Sequence, residues 1–301
     1  MPSECPPTID PVAAARWARI PAAQSPWLHE EVGSRMAQRL QWIKSAPSAW
    51  AHWGPMQGGW NVHEQVMACY PASEVFLVEA PIKPTHDAIK KLAKPWWNPA
   101  SWGAPRLHWS EPPDAAVQMV WANMLLHMAA DPAALIARWQ RALAVDGFLM
   151  FSCFGPDTLG ELRDLYGRQG WPPPAHEYTD MHDWGDMLVA AGFAEPVMDM
   201  ERITLSFATP ERLLLELRGL GRNLHSGRHP RLRGRLWRDQ LHQILQQGLA
   251  VPTEGAPLQL TFEINYGHAF KPQSRLKVQP ETRVSLESMR QNLLRGKVQK
   301  R

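Results

Sequence analysis

Residues 117–163, VQMVWANMLLHMAADPAALIARWQRALAVDGFLMFSCFGPDTLGELR, constrain the fold of this chain more than any other stretch. Val117 to Trp121 is a short apolar run with β-branched members and reads as a strand. Asp131-Pro132 supplies an N-cap and a proline at the first helical position. Leu135, Ile136, Trp139, Ala142 and Leu143 then recur at helical spacing. Gly147 stands where a helix C-cap glycine belongs. Phe148 to Phe154 is a continuous apolar run, as expected of a strand covered on both faces. Asp157 reads as the cap of a second helix that carries Leu159, Leu162, Leu165 and Tyr166 on one face. A strand–helix–strand of this length is a βαβ unit, which predicts parallel strands and a right-handed crossover.

Three later stretches complete a pattern: TDMHDWGDMLVAAGF at Thr179 to Phe193, LLLELRGLGRN at Leu213 to Asn223, and LTFEINYGHAFKP at Leu260 to Pro272. With Val120 to Asp131 and AVDGFLMFSCFGPDTLGELR, they resemble class I S-adenosylmethionine (SAM) methyltransferases. The resemblance is strongest to the malonyl-acyl-carrier-protein O-methyltransferases of biotin synthesis. It runs from about Ser34 to Pro272, and its specific part is the second half. It implies an α/β fold: a Rossmann-like, mostly parallel seven-stranded sheet, helices on both faces, and a helical insertion before the last strand.

Composition narrows the alternatives. Hydrophobic residues make up 45% of 301, enough for a sizeable core without disulfides. A net charge of +3 is too mild to imply nucleic acid by itself. Cys5, Cys69 and Cys153 are scattered and odd in number, which argues against a disulfide framework, and no Cys/His spacing suggests a metal. The opening MPSECPPTID has no basic segment followed by an apolar core, so no signal peptide and a cytoplasmic location are expected. No apolar run approaches the roughly 20 residues of a membrane helix. Fifteen Trp stand against four Tyr. Indoles serve cores and ligand pockets alike, and composition does not choose between them.

In chain order, residues 1–26 read as an arm with a short helix over Ala13 to Ile20. Residues 27–272 read as the methyltransferase domain and 273–301 as a basic tail, helical over Ser285 to Leu294. Trp27 to Ile43 is an amphipathic helix and Ala49 to Trp53 the first strand. Gly54, Gly58 and Gly59 follow in GPMQGGW, then a helix through Met67. Here the resemblance implies a D-x-G-x-G-x-G-like cofactor loop, whose glycines let the backbone approach the ligand. The spacing departs from that pattern, and His52 stands where the family has an acid. A plain glycine turn is the competing reading. Glu74 to Glu79 is the second strand, and Glu79 occupies the place of a ribose-binding acid; a solvated strand-end carboxylate is the alternative. A helix is expected over His86 to Ala93. Lys94 to Trp109 holds four tryptophans among prolines, read as a wall over adenine or as a loop pinned to the core, with Arg106 to Trp109 as third strand. His176, Glu177, His182 and Asp183 match no metal-ligand spacing, and Asp180 or Asp183 caps a helix ended by Gly192. Pro196 to Phe207 and Leu258 to Phe270 are long strands flanking an insertion over about 209–247, with helices from Pro210 and over Leu232 to Gln247.

The resemblance implies SAM as methyl donor and, as acceptor, the free carboxylate of a malonyl thioester on acyl carrier protein or coenzyme A. An ionised carboxylate is its own nucleophile, so no general base is required. The work is alignment in a site that excludes water. Arg163 and then Arg222 are the candidates to orient the carboxylate, because a guanidinium pairs with it through two bonds. Trp121 and Tyr166 are candidates to flank the sulfonium, and Asn123 and His127 to face the donor. Arg222, Arg231 and Arg235 belong to a basic run on the insertion, read as a docking face for an acidic carrier. No nucleic acid or membrane partner is expected. The altered glycine loop supports an alternative: a catalytically degenerate member of the fold that acts as a binding or assembly factor. A module for another nucleotide is a third reading, resting on Gly54, Gly58, Gly59 and Glu79.

Overall fold

The computed structural model describes residues 9–20, 24–79, 106–231, 233–250 and 257–273. The helices expected over His86 to Ala93 and Ser285 to Leu294, and Trp96, Trp97 and Trp102, lie outside these residues.

The βαβ unit forms as the sequence predicts. Strand β4 (Val117–Ala122) pairs in parallel with β5 (Leu143–Phe154). The connecting helix α5 (Pro132–Ala142) is capped by Asp131, whose carboxylate accepts the Ala134 amide at 2.9 Å. Gly147, however, does not end this helix. The chain turns extended at Leu143, and Gly147 lies inside β5, where a Cβ would meet the Ala144 and Gln118 carbonyls at 2.9 and 3.0 Å. The glycine is needed for close backbone approach. Asp157 is likewise not a cap. Helix α6 (Gly160–Arg168) starts after Leu159 in the left-handed region, while the Asp157 side chain pairs with Arg202.

On one side of this unit lie β1 (Ala49–Trp53), β2 (Glu74–Val78) and β3 (Leu107–His108), all parallel. On the other lie β6 (Ala194–Phe207) and β7 (Leu258–Phe270), with β7 antiparallel to both β5 and β6. Among the described residues the sheet order is β3-β2-β1-β4-β5-β7-β6.

Side chains alternate across this sheet with period two. Trp50, Met119, Trp121, Phe148 and Met150 face one core. That core is covered by α2 (Trp27–Gln38), α4 (Trp60–Cys69), α6, and the insertion helices α8 (Pro210–Leu220) and α9 (Arg235–Gly248). Ala51, Trp53, Val120, Leu149 and Phe151 face the other, covered by α5 and α7 (Met181–Ala190). Trp50, Trp121 and Trp139 are fully buried, so much of the indole content is spent on the core.

The segment before α2 is not loose where it is described. Helix α1 (Pro11–Trp17) is capped by Asp10. The Asp10 amide donates to the Leu224 carbonyl at 2.8 Å, its carboxylate pairs with Arg228 at 2.7 Å, and Ile9 bridges to His225. The arm is thus pinned to the insertion. Among the described residues no helix is long and apolar enough to cross a membrane.

Candidate active site

The carboxyl ends of parallel strands are where open α/β sheets bind ligands. Two structures meet there: a glycine loop after β1 and an apolar cavity under the insertion.

Gly54 ends β1 at φ +68°, and Pro55–Gly58 forms one short turn of helix, α3; Gly59, at φ +133°, leads into α4. Positive φ explains Gly54 and Gly59. Gly58 is explained by space, since Asn123 packs on it. Asn123 is fully buried: its amide donates to the His29 carbonyl at 2.7 Å and to that of Gly58, and its oxygen accepts the Ser152 hydroxyl at 2.6 Å. Asn123 therefore ties the loop to α2 and to β5.

The loop amides are almost fully used within the protein. Gly54 donates to Val78, Met56 to the Glu79 carboxylate at 3.1 Å, and Trp60 to the Ser25 hydroxyl. Asn61 and Val62 donate to the Glu30 carboxylate at 3.1 and 3.0 Å, so α2 supplies the acid that caps α4. Gln57 adds two ties, its side chain donating to Gly219 on α8 and its carbonyl accepting from His29 Nδ1.

His52, at the family's acid position, points into the core instead of the cleft. Its Nδ1 lies 3.2 Å from Nδ1 of His63, and both rings are buried. Burial, with His63 alongside, holds His52 well below the usual histidine range, and burial takes His63 down to about 4. An imidazole here is neutral packing material with one internal partner.

Beyond β4 and β5, an apolar cavity of about 90 Å³ opens under α8. His127, Phe154, Leu162, Tyr178, Leu217, Arg222 and Phe262 are among its lining residues, and Arg222 is the one permanently charged group among the described residues that line it. Arg222 Nη1 donates to the Gly221 carbonyl at 3.0 Å and to that of Arg218, and its guanidinium sits 5.3 Å from the Trp17 ring on the arm. His127 is 4% exposed; burial, with His29 and His176 nearby, holds it neutral, well below its ordinary range. Burial raises Tyr178, keeping its phenol protonated.

The other candidates fall as follows. Arg163 donates to the Pro156 carbonyl, folding back on the turn that follows β5, and its charge reaches Tyr178. Trp121 is fully buried inside β4, in register with His52 and Met150. Tyr166 packs edge-to-face on Trp171 at 5.1 Å, a ring other than Trp121. Arg231 and Arg235 are exposed on the insertion. Tyr178 and Phe262 escaped the sequence reading, because only packing brings them to the strand ends. Trp109, from the segment read as an adenine wall or a pinned loop, lies parallel to Trp60 at 6.4 Å and packs on the core.

S-adenosylmethionine needs acceptors for its ribose hydroxyls and donors for its amino-acid carboxylate. Glu79 stands at the end of β2, beside the loop, where its carboxylate accepts the Met56 amide at 3.1 Å. An acid in this place is of the kind that accepts ribose hydroxyls, while the loop amides offer little to the cofactor's amino-acid end.

Sheet order, strand-end carboxylate and roofed cavity define a class I SAM-dependent methyltransferase. The solved structures most useful for comparison agree on the fold. A Bacillus subtilis protein, YcgJ, superposes with a TM-score of 0.52 over 81% of this chain and 99% of its own, at 13% identity. A Bacillus halodurans protein assigned as a methyltransferase gives 0.50 over 80% and 100%, at 16% identity. No family model matches the chain. Curated relatives do. The malonyl-[acyl-carrier protein] O-methyltransferase of Gallionella capsiferriformans is 35% identical over 257 residues, 83% of this chain and 86% of that protein. Those of Laribacter hongkongensis and Legionella pneumophila are 34% and 30% identical, over 82% of this chain in each case. The chain belongs to the malonyl-[acyl-carrier protein] O-methyltransferase family.

Proposed function

We propose that this protein methylates the free carboxylate of a malonyl group carried as a thioester on acyl carrier protein, the methyl-ester step that serves biotin synthesis. The observation that carries this reading is the cavity beyond β4 and β5: apolar, roofed by the insertion, with Arg222 as its only fixed charge among the described residues and its titratable groups held neutral. Such a pocket offers only a weak base, the buried His127 imidazole, and needs none. A malonyl carboxylate is ionised at neutral pH and already nucleophilic.

Bound SAM supplies an electrophilic methyl group on a sulfonium. The chain's own part is to bind and align. Glu79 would hold the ribose hydroxyls. Arg222 and Arg163 are the candidate guanidinium groups for the acceptor, the first in the cavity wall, the second on the turn that follows β5. Phe154, Leu162, Leu217 and Phe262 exclude water, which strengthens every charge interaction inside.

Arg231 and Arg235 are proposed to receive the acidic carrier. Arg235 opens helix α9. A cation there opposes the helix dipole, so helix stability is no reason for it. The protein is read as cytoplasmic. Incubation with SAM and malonyl carrier protein, followed by mass spectrometry of the carrier, tests the reading; malonyl coenzyme A in parallel separates the two thioesters. Methyl ester on neither would reject it.

One observation favours a second reading, a fold member that binds a partner without transferring methyl: the amides of the loop after β1 are satisfied within the chain. Calorimetry with SAM decides, because that reading predicts no heat at high micromolar cofactor.

A further inference from the structure

His127 is the residue of this cavity whose chemistry is incomplete. It is 4% exposed, and its ring lines the cavity against Phe154 and Tyr178. The Phe154 amide donates to Nδ1 at 3.4 Å, which leaves the ring proton on Nε2. Among the described residues Nε2 has no hydrogen-bond partner. A buried donor without a partner is costly, and most such groups in folded proteins are paired. The surroundings keep it a donor: burial, His29 and His176 all oppose a second proton. His176 anchors the segment from the other side, through Nε2 to the His127 carbonyl at 2.9 Å.

Resting on the malonyl reading above, we infer that His127 binds the acceptor, donating from Nε2 to an oxygen of the malonyl group within the cavity. Position after β4 alone suggests a residue facing the methyl donor. Lining the cavity with Arg222, it is assigned to the acceptor instead. A neutral N–H suits this task, since it holds an oxygen without neutralising the nucleophile by full proton transfer. With Arg222 in the same wall, the malonyl group meets one charged and one neutral donor, so an acyl group lacking the carboxylate leaves one of them unpaired.

The test compares His127→Gln, which keeps an N–H donor, with His127→Leu, which keeps bulk alone. Malonyl-pantetheine binding to the full chain is followed by calorimetry in the presence of S-adenosylhomocysteine, and methyl transfer to malonyl carrier protein is measured in parallel. His127→Leu is expected to weaken malonyl-pantetheine binding and raise the acceptor KM by about tenfold, the loss of one bond to a charged group. Its Kd for S-adenosylhomocysteine should be unchanged, and His127→Gln should recover most of the loss. Equal losses in both variants, a Leu variant like wild type, or a matching loss of S-adenosylhomocysteine affinity would each overturn the inference. If malonyl-pantetheine binds through His127 but wild type forms no methyl ester, the inference stands and the proposed activity falls. If wild type binds no malonyl-pantetheine, both fall.

Discussion

The side-chain amide of Asn123 donates to the Gly58 carbonyl, and a Cβ on Gly58 would stand 2.7 Å from the Asn123 carbonyl oxygen. The loop after β1 and the loop after β4 are therefore packed backbone to backbone. An alanine at 58 meets main chain, which yields less readily than the end of a side chain. Gly58→Ala should cost about 1–3 kcal/mol, the usual penalty of overpacking. Urea denaturation measures it; a loss within about 0.5 kcal/mol, the range of an inert surface change, would mean that the two loops do not meet this way.

Glu79 accepts the Met56 amide and is proposed to hold the ribose. Bonds to a charged group are worth about 1.5–3 kcal/mol, so Glu79→Ala should weaken SAM binding by about 10- to 100-fold. Calorimetry reads this directly. An unchanged Kd would move the ribose away from the end of β2.

The buried histidines make acid stability a property of the fold. Burial depresses His29 and His63 from 6.5 to about 4, and places His52 and His127 well below 6.5. The unfolded chain takes up these protons first. Stability is thus fully present above about pH 6.5 and is lost as pH falls toward 4, by an amount on the order of 3 kcal/mol for a fully buried group. His29→Gln keeps a donor for the Gln57 carbonyl but cannot titrate. Thermal melts between pH 7 and 4.5 should show a shallower acid loss in this variant; parallel slopes would assign the acid sensitivity elsewhere.

Arg231→Glu with Arg235→Glu should lower kcat/KM on malonyl carrier protein while sparing a small malonyl thioester. Charges at a rim act mainly on association rate. The deficit should shrink as salt rises from about 0.05 to 0.5 M, where the Debye length contracts to a few Å. Equal losses on both substrates would show that these arginines are not a docking face.

Asp131 is legible as a helix start, Asp180 as one of two candidates and the next helix by Pro210, because a cap is a contact between neighbours in sequence. Gly147 and Asp157 were misread for the opposite reason. Gly147 is small because Gln118 approaches from β4, and Asp157 serves Arg202 on β6. Glycine and aspartate look alike in sequence whether their reason is local or distant.

The sequence by itself determined the α/β class, the parallel pair at the centre, β1 and β7 to the residue, and the insertion between the last strands. The parallel pair and the single strands follow from periodicity and caps, which act within a few residues; the insertion between the last strands follows from the family resemblance. Only the tertiary structure decided what the polar groups face. It turned His52 inward to His63, closed the loop amides onto Glu30 and Glu79, and brought His127 and Arg222 to one cavity under α8. Those partners lie up to 95 residues apart along the chain, counting from His127 to Arg222, and a hydrogen bond or a cavity wall depends on distance in space, which no local pattern records.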